Sequence, residues 1–494
     1  MKRVKRVLAL LAAFALVLAM AVPAFAASIT INGTGKTYKA YKLLNATVRG
    51  TGEDKKISYT VNEKYADVLK AATSATDEKG IIKTIEGKTE ATAIRSFAND
   101  IYAKIKADKI AEDYTSTGKT FENVDKGYYL IVETELDGNA DTYSLVMLNT
   151  ADQDSVTVTS KEDSPTFEKK IKEKNDSTGV ESGWQDGADY DINDVVPFKL
   201  QGTVPQNYGA YNTYKYVFHD KMSSGLTFDA SSVVVKVNET AINSGYSVVT
   251  ESLKDDCTFE VQFENLKDIP EVTAGCTITV EYNATLNDKA VIGSAGNPNE
   301  AKLEYSNNPY GNGTGTGETP WDKVIAFTYQ LVANKVDKDG SSVEGAGFTL
   351  YKWSNEGDKY VAVSSEITGV TKFNFKGIDA GQYKLVESKV PDGYTKAEDL
   401  VFTVVATYDT DNNDPKFGTL TIKDGDKVIS DGEDKVFTVN LVAGSFTTDV
   451  VNLTGTTLPS TGGMGTTVFY VVGGGLMAVA VVLLVTKKRM ENKR

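Results

Sequence analysis

Tyr214-Lys215-Tyr216-Val217-Phe218-His219-Asp220 alternates strictly, with Tyr216, Phe218 and Asp220 on one face and Lys215, Val217 and His219 on the other. Successive side chains of an extended chain point to opposite faces, so this period of two marks a strand. Asp220 shares the aromatic face, whereas His219 points the other way and reads most simply as a surface residue. Outward from this strand the alternation recurs in Phe167, Lys169 and Ile171, in Val233 and Val235, and in Ile278, Val280 and Tyr282. The region 164–309 is therefore expected to form a β-sandwich.

Beyond it, Asn308 to Pro320 is rich in Gly, Thr and Asn and reads as an exposed hinge, giving a linker over 310–323. From there to Leu453, short strands are broken by turn signals such as Asp339-Gly340 and Asp392-Gly393, which predicts a second β domain over 324–455. Ahead of the first sandwich, Ile94, Phe97, Ala98, Ile101 and Ile105 follow helical spacing, while Tyr128, Leu130 and Val132 alternate. That mixture predicts an α+β head over 27–163. The fold class is thus mainly β: tandem Ig-like sandwiches behind an α+β head. No span reads as a dinucleotide-binding unit or a phosphate loop.

Both ends carry processing signals. Lys2, Arg3, Lys5 and Arg6 precede an apolar stretch from Val7 to Val22, and Ala24-Phe25-Ala26 offers a cleavage site after Ala26, so 1–26 is expected to be a signal peptide. At the far end, Leu458-Pro459-Ser460-Thr461-Gly462 is followed by an apolar run from Val468 to Val485 and then by Lys487, Lys488, Arg489, Lys493 and Arg494. Roughly eighteen apolar residues are about enough to cross a bilayer, and the cations hold that end in the cytoplasm. The stretch 456–494 resembles the LPxTG sorting signal of Gram-positive surface proteins. The resemblance implies that a sortase cysteine cuts between Thr461 and Gly462 and passes the threonyl acyl group to an amine. It also implies transient membrane retention before attachment at the cell wall.

The full chain has a formal charge of -14; without the leader and the basic tail, about -22 remains between Ala27 and Thr461. Such an acidic surface excludes nucleic acid and anionic lipid as natural partners. The remaining length, roughly 435 residues, suits about three domains. One histidine and two cysteines, with no metal-spaced cluster, leave the chain without a metal or cofactor signature and without a Ser/His/Asp set. Cys257 and Cys276 bracket apolar alternating runs, in keeping with neighbouring strands, and in an exported protein a disulfide between them is expected.

The densest group of motifs lies in the second sandwich: Asn334-Lys335-Val336-Asp337, Gly345-Ala346-Gly347-Phe348, Tyr383-Lys384-Leu385-Val386-Glu387-Ser388 and Val451-Asn452. Together they resemble a CnaB-type domain, which crosslinks a first-strand lysine to a last-strand asparagine. The match implies a Lys335–Asn452 bond with Glu387 as the promoting acid. The residue types suit the chemistry. An ammonium is no nucleophile, but burial lowers a lysine's pKa and raises that of a carboxyl, so the pair can react as neutral amine and proton-carrying acid. Three isolated buried polar groups would be costly, whereas an amide hydrogen-bonded to an acid is tolerable.

The first sandwich resembles the second domain of fimbrial shaft proteins, which implies a bond between Lys169 and Asn299 beside Asp220. Lys170, Asn297 and Asn307 are alternatives of similar spacing. In the head, Glu133 of Gly127-Tyr128-Tyr129-Leu130-Ile131-Val132-Glu133 resembles the acid motif, although no lysine and asparagine pair stands out with it. Shaft pilins also carry a lysine after a strand at the junction of their first two domains, which attacks the sortase-bound Thr of the next subunit. The corresponding stretch, Val156-Thr157-Val158-Thr159-Ser160-Lys161-Glu162, keeps the strand and Lys161 but lacks the family's Tyr, Pro and Asn.

The expectation is a major shaft pilin rather than an enzyme, polymerised through Thr461 and Lys161. Its implied partners are pilin-type and housekeeping sortases, further copies of itself, minor pilins and peptidoglycan. A monomeric wall-anchored adhesin or a pilus tip subunit is the alternative, and a wall-anchored hydrolase is disfavoured because no paired carboxylates stand in a glycosidase context.

Overall fold

The computed structural model describes residues 26–32, 37–50, 54–116, 118–135, 143–159, 164–309, 315–433, 435–455 and 464–491. Lys161, the LPSTG motif and all of the leader but Ala26 lie outside them. In the head, β1 (Ala26–Asn32) and β2 (Thr37–Arg49) belong to two sheets. β2 sits between Lys56–Val61 and β3 (Gly127–Glu135), with Leu145–Asn149 beyond. β1 pairs with Thr120–Asp125 on one side and, in parallel, with β4 (Ser155–Thr159) on the other. Alternation along β2 and β3 divides their side chains between two cores. Tyr41, Leu43, Leu130 and Val132 meet Phe97, Ile101 and Ile105 of helix α1 (Ala91–Ala107), while Tyr38, Ala40, Tyr129 and Ile131 meet Ile29 and Ile31 of β1.

The middle sandwich joins two sheets. The first runs in the order Thr240–Ile242, Leu226–Val237, β8, β6, β5, where β5 is Phe167–Ile171, β6 is Val195–Thr203 and β8 is Thr277–Leu286. The second runs Gly187–Asp189, β10, β9, β7, Phe259–Phe263, Ser247–Val249, where β7 is Tyr216–Met222, β9 is Asn297–Ser306 and β10 is Asp322–Phe327. Phe198, Leu200, Tyr216, Phe218, Phe259, Phe263, Val280 and Leu303 fill the space between them. The stretch expected as a linker is partly sheet: Thr316–Glu318 pairs with Glu304–Ser306, and Asp322 opens β10 opposite Ala301. β10 itself runs on past the expected linker into the stretch assigned to the last domain, burying Val324, Ile325, Ala326 and Phe327.

The sequence also misplaced the cysteines. Cys257 precedes Phe259–Phe263 in the second sheet and Cys276 precedes β8 in the first, and both thiols are free. Burial pushes Cys257 up to about 12 and raises Cys276 as well, so neither is a ready thiolate. His219 is likewise no surface residue. It is 1% exposed on the outward face of β7, its ring nitrogens 2.9 Å from Glu260 and 3.2 Å from Glu304. Long side chains cover that face, with Lys215 and Lys254 reaching Glu304.

Only Thr328 separates β10 from β11 (Tyr329–Val336), which opens the last sandwich. One sheet there runs Lys372–Ile378, β11, β13 (Ser445–Val451), Thr438–Asn440, with β11 and β13 parallel. The facing sheet has β12 (Gly381–Lys389) between Gly347–Ser354 and Leu400–Tyr408. Leu331, Ala333 and Phe446 pack onto Phe348, Leu350, Leu385 and Phe402. At the junction of the two sandwiches, Gly293 and Gly444 both hold positive φ and touch backbone to backbone, leaving no room for a Cβ on either. Finally, α2 (Met464–Glu491) includes Tyr470–Met490, 21 residues of mean hydropathy 1.9, none buried.

Candidate functional site

In the middle sandwich the alternation of β5 sends Lys169 inward and Lys170 outward. Lys169 is fully buried, rising from the edge strand of one sheet toward β7 and β9 of the other. Its Nζ lies 2.5 Å from Asp220 Oδ2 and 2.7 Å from the Tyr282 hydroxyl. That hydroxyl donates to Asp220 Oδ2 at 2.6 Å and accepts from Asn299 Nδ2 at 3.1 Å. Phe198 and Tyr282 close the site, each ring centroid 5.3 Å from Nζ. Asp220 Oδ1 and Asn299 Oδ1 are buried without a hydrogen-bond partner among the described residues. Burial holds the Lys169 pKa below the usual lysine range despite Asp220 beside it, and raises that of Asp220 despite the ammonium. The pair is driven toward neutral amine and neutral acid, the form in which a lysine can attack a carboxamide.

The alternatives have other occupations. Lys170 Nζ pairs with Asp186 at 2.7 Å, raising its pKa. Asn297 is saturated by backbone: it accepts from Val291 N and donates to the carbonyls of Val291 and Ala326. Asn307 lies past the far end of β9, its backbone bonded to Gly315 and Tyr143.

In the last sandwich, Lys335 on β11 and Asn452 just past β13 sit on neighbouring parallel strands, and Glu387 comes from β12 across the core. All three are at most 2% exposed. Lys335 Nζ donates to Val450 O at 2.7 Å and lies 3.9 Å from Glu387 Oε1, which also accepts from Asn452 Nδ2 at 2.7 Å. Glu387 Oε2 is held by Ala397 N at 2.7 Å. Desolvation lowers the Lys335 pKa against the opposing charge of Glu387. Asn452 Oδ1, like Asn299 Oδ1, has no partner among the described residues. Each sandwich therefore brings an amine, an acid and a carboxamide into one dry pocket.

Glu133 of the head is buried and accepts from the backbone N–H and hydroxyl of Ser144 at 3.1 and 2.9 Å. Two features escaped the sequence. One is Tyr282, whose alternation marked it only as core. The other is Lys352, buried at the junction of the sandwiches between Asp176 and Asp191 on one side and Asp379 on its own, at 2.6 to 2.9 Å.

Comparison with known proteins agrees with this architecture. Residues 192–309 match the Cna-B-like domain of Gram-positive pilin backbone subunit 2, 329–416 the prealbumin-like SpaA domain, and 454–492 the LPXTG cell wall anchor motif. The trypsin-resistant surface T6 protein of Streptococcus pyogenes is 28% identical over 359 residues, covering 60% of this chain and 65% of that one. The solved T6 backbone pilin of serotype M6 Streptococcus pyogenes, described as a modular three-domain structure, superposes with a TM-score of 0.53 at 20% identity, covering 87% of this chain and 98% of that one. In the content and order of its domains, the chain is similar to Gram-positive backbone pilins that carry an LPXTG cell-wall anchor.

Proposed function

We propose that the chain is the shaft subunit of a covalent pilus. A pilin-type sortase would cut after Thr461 and transfer the threonyl acyl group to Lys161 of the next subunit. A housekeeping sortase would join the finished polymer, with any minor pilins, to peptidoglycan. Within each subunit, Lys169 would bond to Asn299 and Lys335 to Asn452, promoted by Asp220 and Glu387. In each case the neutral amine attacks the asparagine Cγ, the new N–C bond forms, the C–Nδ2 bond breaks, and ammonia leaves. The acid moves protons from the attacking to the leaving nitrogen.

The observation that carries this reading is the pair of dry triads in tandem sandwiches. A lysine, an acid and an asparagine buried together twice would be a large desolvation cost without a covalent outcome. The test is the intact mass of residues 27 to 461 with mapping of crosslinked peptides. A deficit of two ammonias at Lys169–Asn299 and Lys335–Asn452 is expected; the formula mass would sink the crosslinks. Polymer growth is tested separately by incubation with the sortase, where Lys161→Ala should abolish the ladder of oligomers. The missing Tyr, Pro and Asn around Lys161 favour one other reading, a singly anchored adhesin. A ladder that forms unchanged in Lys161→Ala would remove that lysine from the assignment, and no ladder from the parent would favour the adhesin.

A further inference from the structure

The two triads differ in one connection. Glu387 Oε1 touches the asparagine nitrogen that must leave, whereas Asp220, one methylene shorter, has no hydrogen bond to Asn299. The gap is filled by the Tyr282 hydroxyl, which contacts Lys169 Nζ, Asp220 Oδ2 and Asn299 Nδ2 at 2.7, 2.6 and 3.1 Å. Resting on the crosslinked reading above, we propose that Tyr282 is a catalytic residue of the middle sandwich, relaying a proton from the attacking lysine to the departing nitrogen.

The relay balances. Asp220 first takes a proton from the Lys169 ammonium, giving amine and acid. The amine attacks Asn299 Cγ, and the nitrogen of the adduct carries one proton too many. Protonation of Asp220 frees the hydroxyl that Tyr282 had donated to it, and once Nδ2 gains a lone pair in the adduct that hydroxyl turns to it. The Tyr282 oxygen accepts the surplus proton while its own passes to Nδ2, so tyrosine is regenerated. Ammonia departs and an amide remains, with Asp220 protonated beside it. The phenol is suited to this because it cannot ionise easily: burial, then the charge of Asp220, lift the Tyr282 pKa well above its usual value, so it keeps the proton it must donate. Its ring is fixed by stacking on Phe198 at 5.5 Å and by edge contacts with Phe228 and Phe259 at 5.8 and 4.9 Å. A relay needs such fixed placement, since proton transfer requires hydrogen-bond contact at both ends.

The experiment follows both bonds in one molecule. Pulse-labelled parent, Tyr282→Phe and Tyr282→Phe/Asp220→Glu chains are chased during expression, and each crosslinked peptide is quantified by mass. In Tyr282→Phe the Lys169–Asn299 bond should form roughly 10²-fold more slowly, the low end of what a positioned acid or base contributes, while Lys335–Asn452 forms at the parental rate and reports correct folding. The double variant, whose longer acid can reach Nδ2 as Glu387 does, should recover most of the rate. Parental rates in Tyr282→Phe overturn the relay, and so does a slow Tyr282→Phe that the added methylene fails to rescue, because the tyrosine would then matter only as packing. A parent chain that never loses ammonia at Lys169–Asn299 overturns the crosslinked reading itself, an outcome read from a different sample.

Discussion

The two sandwiches solve one chemical problem with opposite geometries. In the middle domain lysine and asparagine stand on different sheets, and the acid shares the asparagine's sheet. In the last domain lysine and asparagine stand on adjacent parallel strands of one sheet, and the acid crosses from the other. A bond in the first would clamp sheet to sheet; a bond in the second would weld the first strand to the last. The residue types therefore do not dictate where a crosslink goes in the fold. What they require is a shared pocket dry enough to neutralise a lysine.

The largest expected effect tests whether the clamp matters more than the weld. Lys169→Ala and Lys335→Ala each remove a closure of more than 100 residues, worth on the order of 5 kcal/mol by the loop-entropy estimate for a covalent link. The middle domain should lose more, because Lys169→Ala also takes from the buried, protonated Asp220 the nitrogen it hydrogen-bonds. Denaturant unfolding of the two variants side by side gives the ranking, and equal losses would mean that the Tyr282 hydroxyl, 2.6 Å from Oδ2, satisfies Asp220 by itself.

A third buried lysine sharpens the comparison by lacking the right environment. Lys352 lies 2.6 Å from Asp379, near enough for an amide, yet the carboxylates of Asp379, Asp191 and Asp176 together raise its pKa well above the usual value. It stays an ammonium, and peptide mapping should find no crosslink there. Lys352→Met should instead loosen the junction by about 3 kcal/mol, since buried Asp379 would face the partly buried Asp191 with no cation between them; a shared thermal transition of the two sandwiches should split.

A smaller effect is expected from pH. Around Lys352, burial and neighbouring carboxylates raise Glu173 to about 7 and Asp194 to about 6. Their folded pKa values exceed the unfolded ones, so the folded junction binds more protons; stability is fully present at low pH and lost as pH rises through 6 to 7. Amide exchange of residues 173–194 should therefore be slower at pH 5.5 than at pH 8 after correction for intrinsic rates, and the reverse order would refute the assignment. The smallest effect belongs to the cysteines: Cys276→Ser or added reductant should shift the melting curve far less than any variant above, whereas a clear drop with reductant would indicate a disulfide after all.

What the chain disclosed in advance was the face of each strand. Alternation put Lys169, Asp220 and Asn299 inward and Lys170 outward, because a period of two leaves no third choice. It could not reveal what covers an outward face, and so His219 was misread: the side chains over it come from Glu260 and Glu304 on the two strands flanking β7, contacts set by register. The same gap misplaced Cys257 and Cys276, whose apolar flanks report strands but not which sheet each joins. Tyr282 was legible as core and illegible as chemistry, since nothing local marks where its hydroxyl ends. Composition likewise concealed Thr316–Glu318, a short polar strand recruited by β9.

The near-direct passage from β10 into β11, with Thr328 alone between them, has a mechanical consequence. With both amides in place, tension entering near Lys161 would cross to β9 at Asn299, follow the backbone from there to Lys335, and leave through Asn452 toward Thr461. The backbone between Lys169 and Asn299, and between Lys335 and Asn452, would lie off that route and feel little of the pull. A fibre built this way would stretch at the short segments joining its bonds, and the backbone from Asn299 to Lys335 would be the first part of each subunit to give.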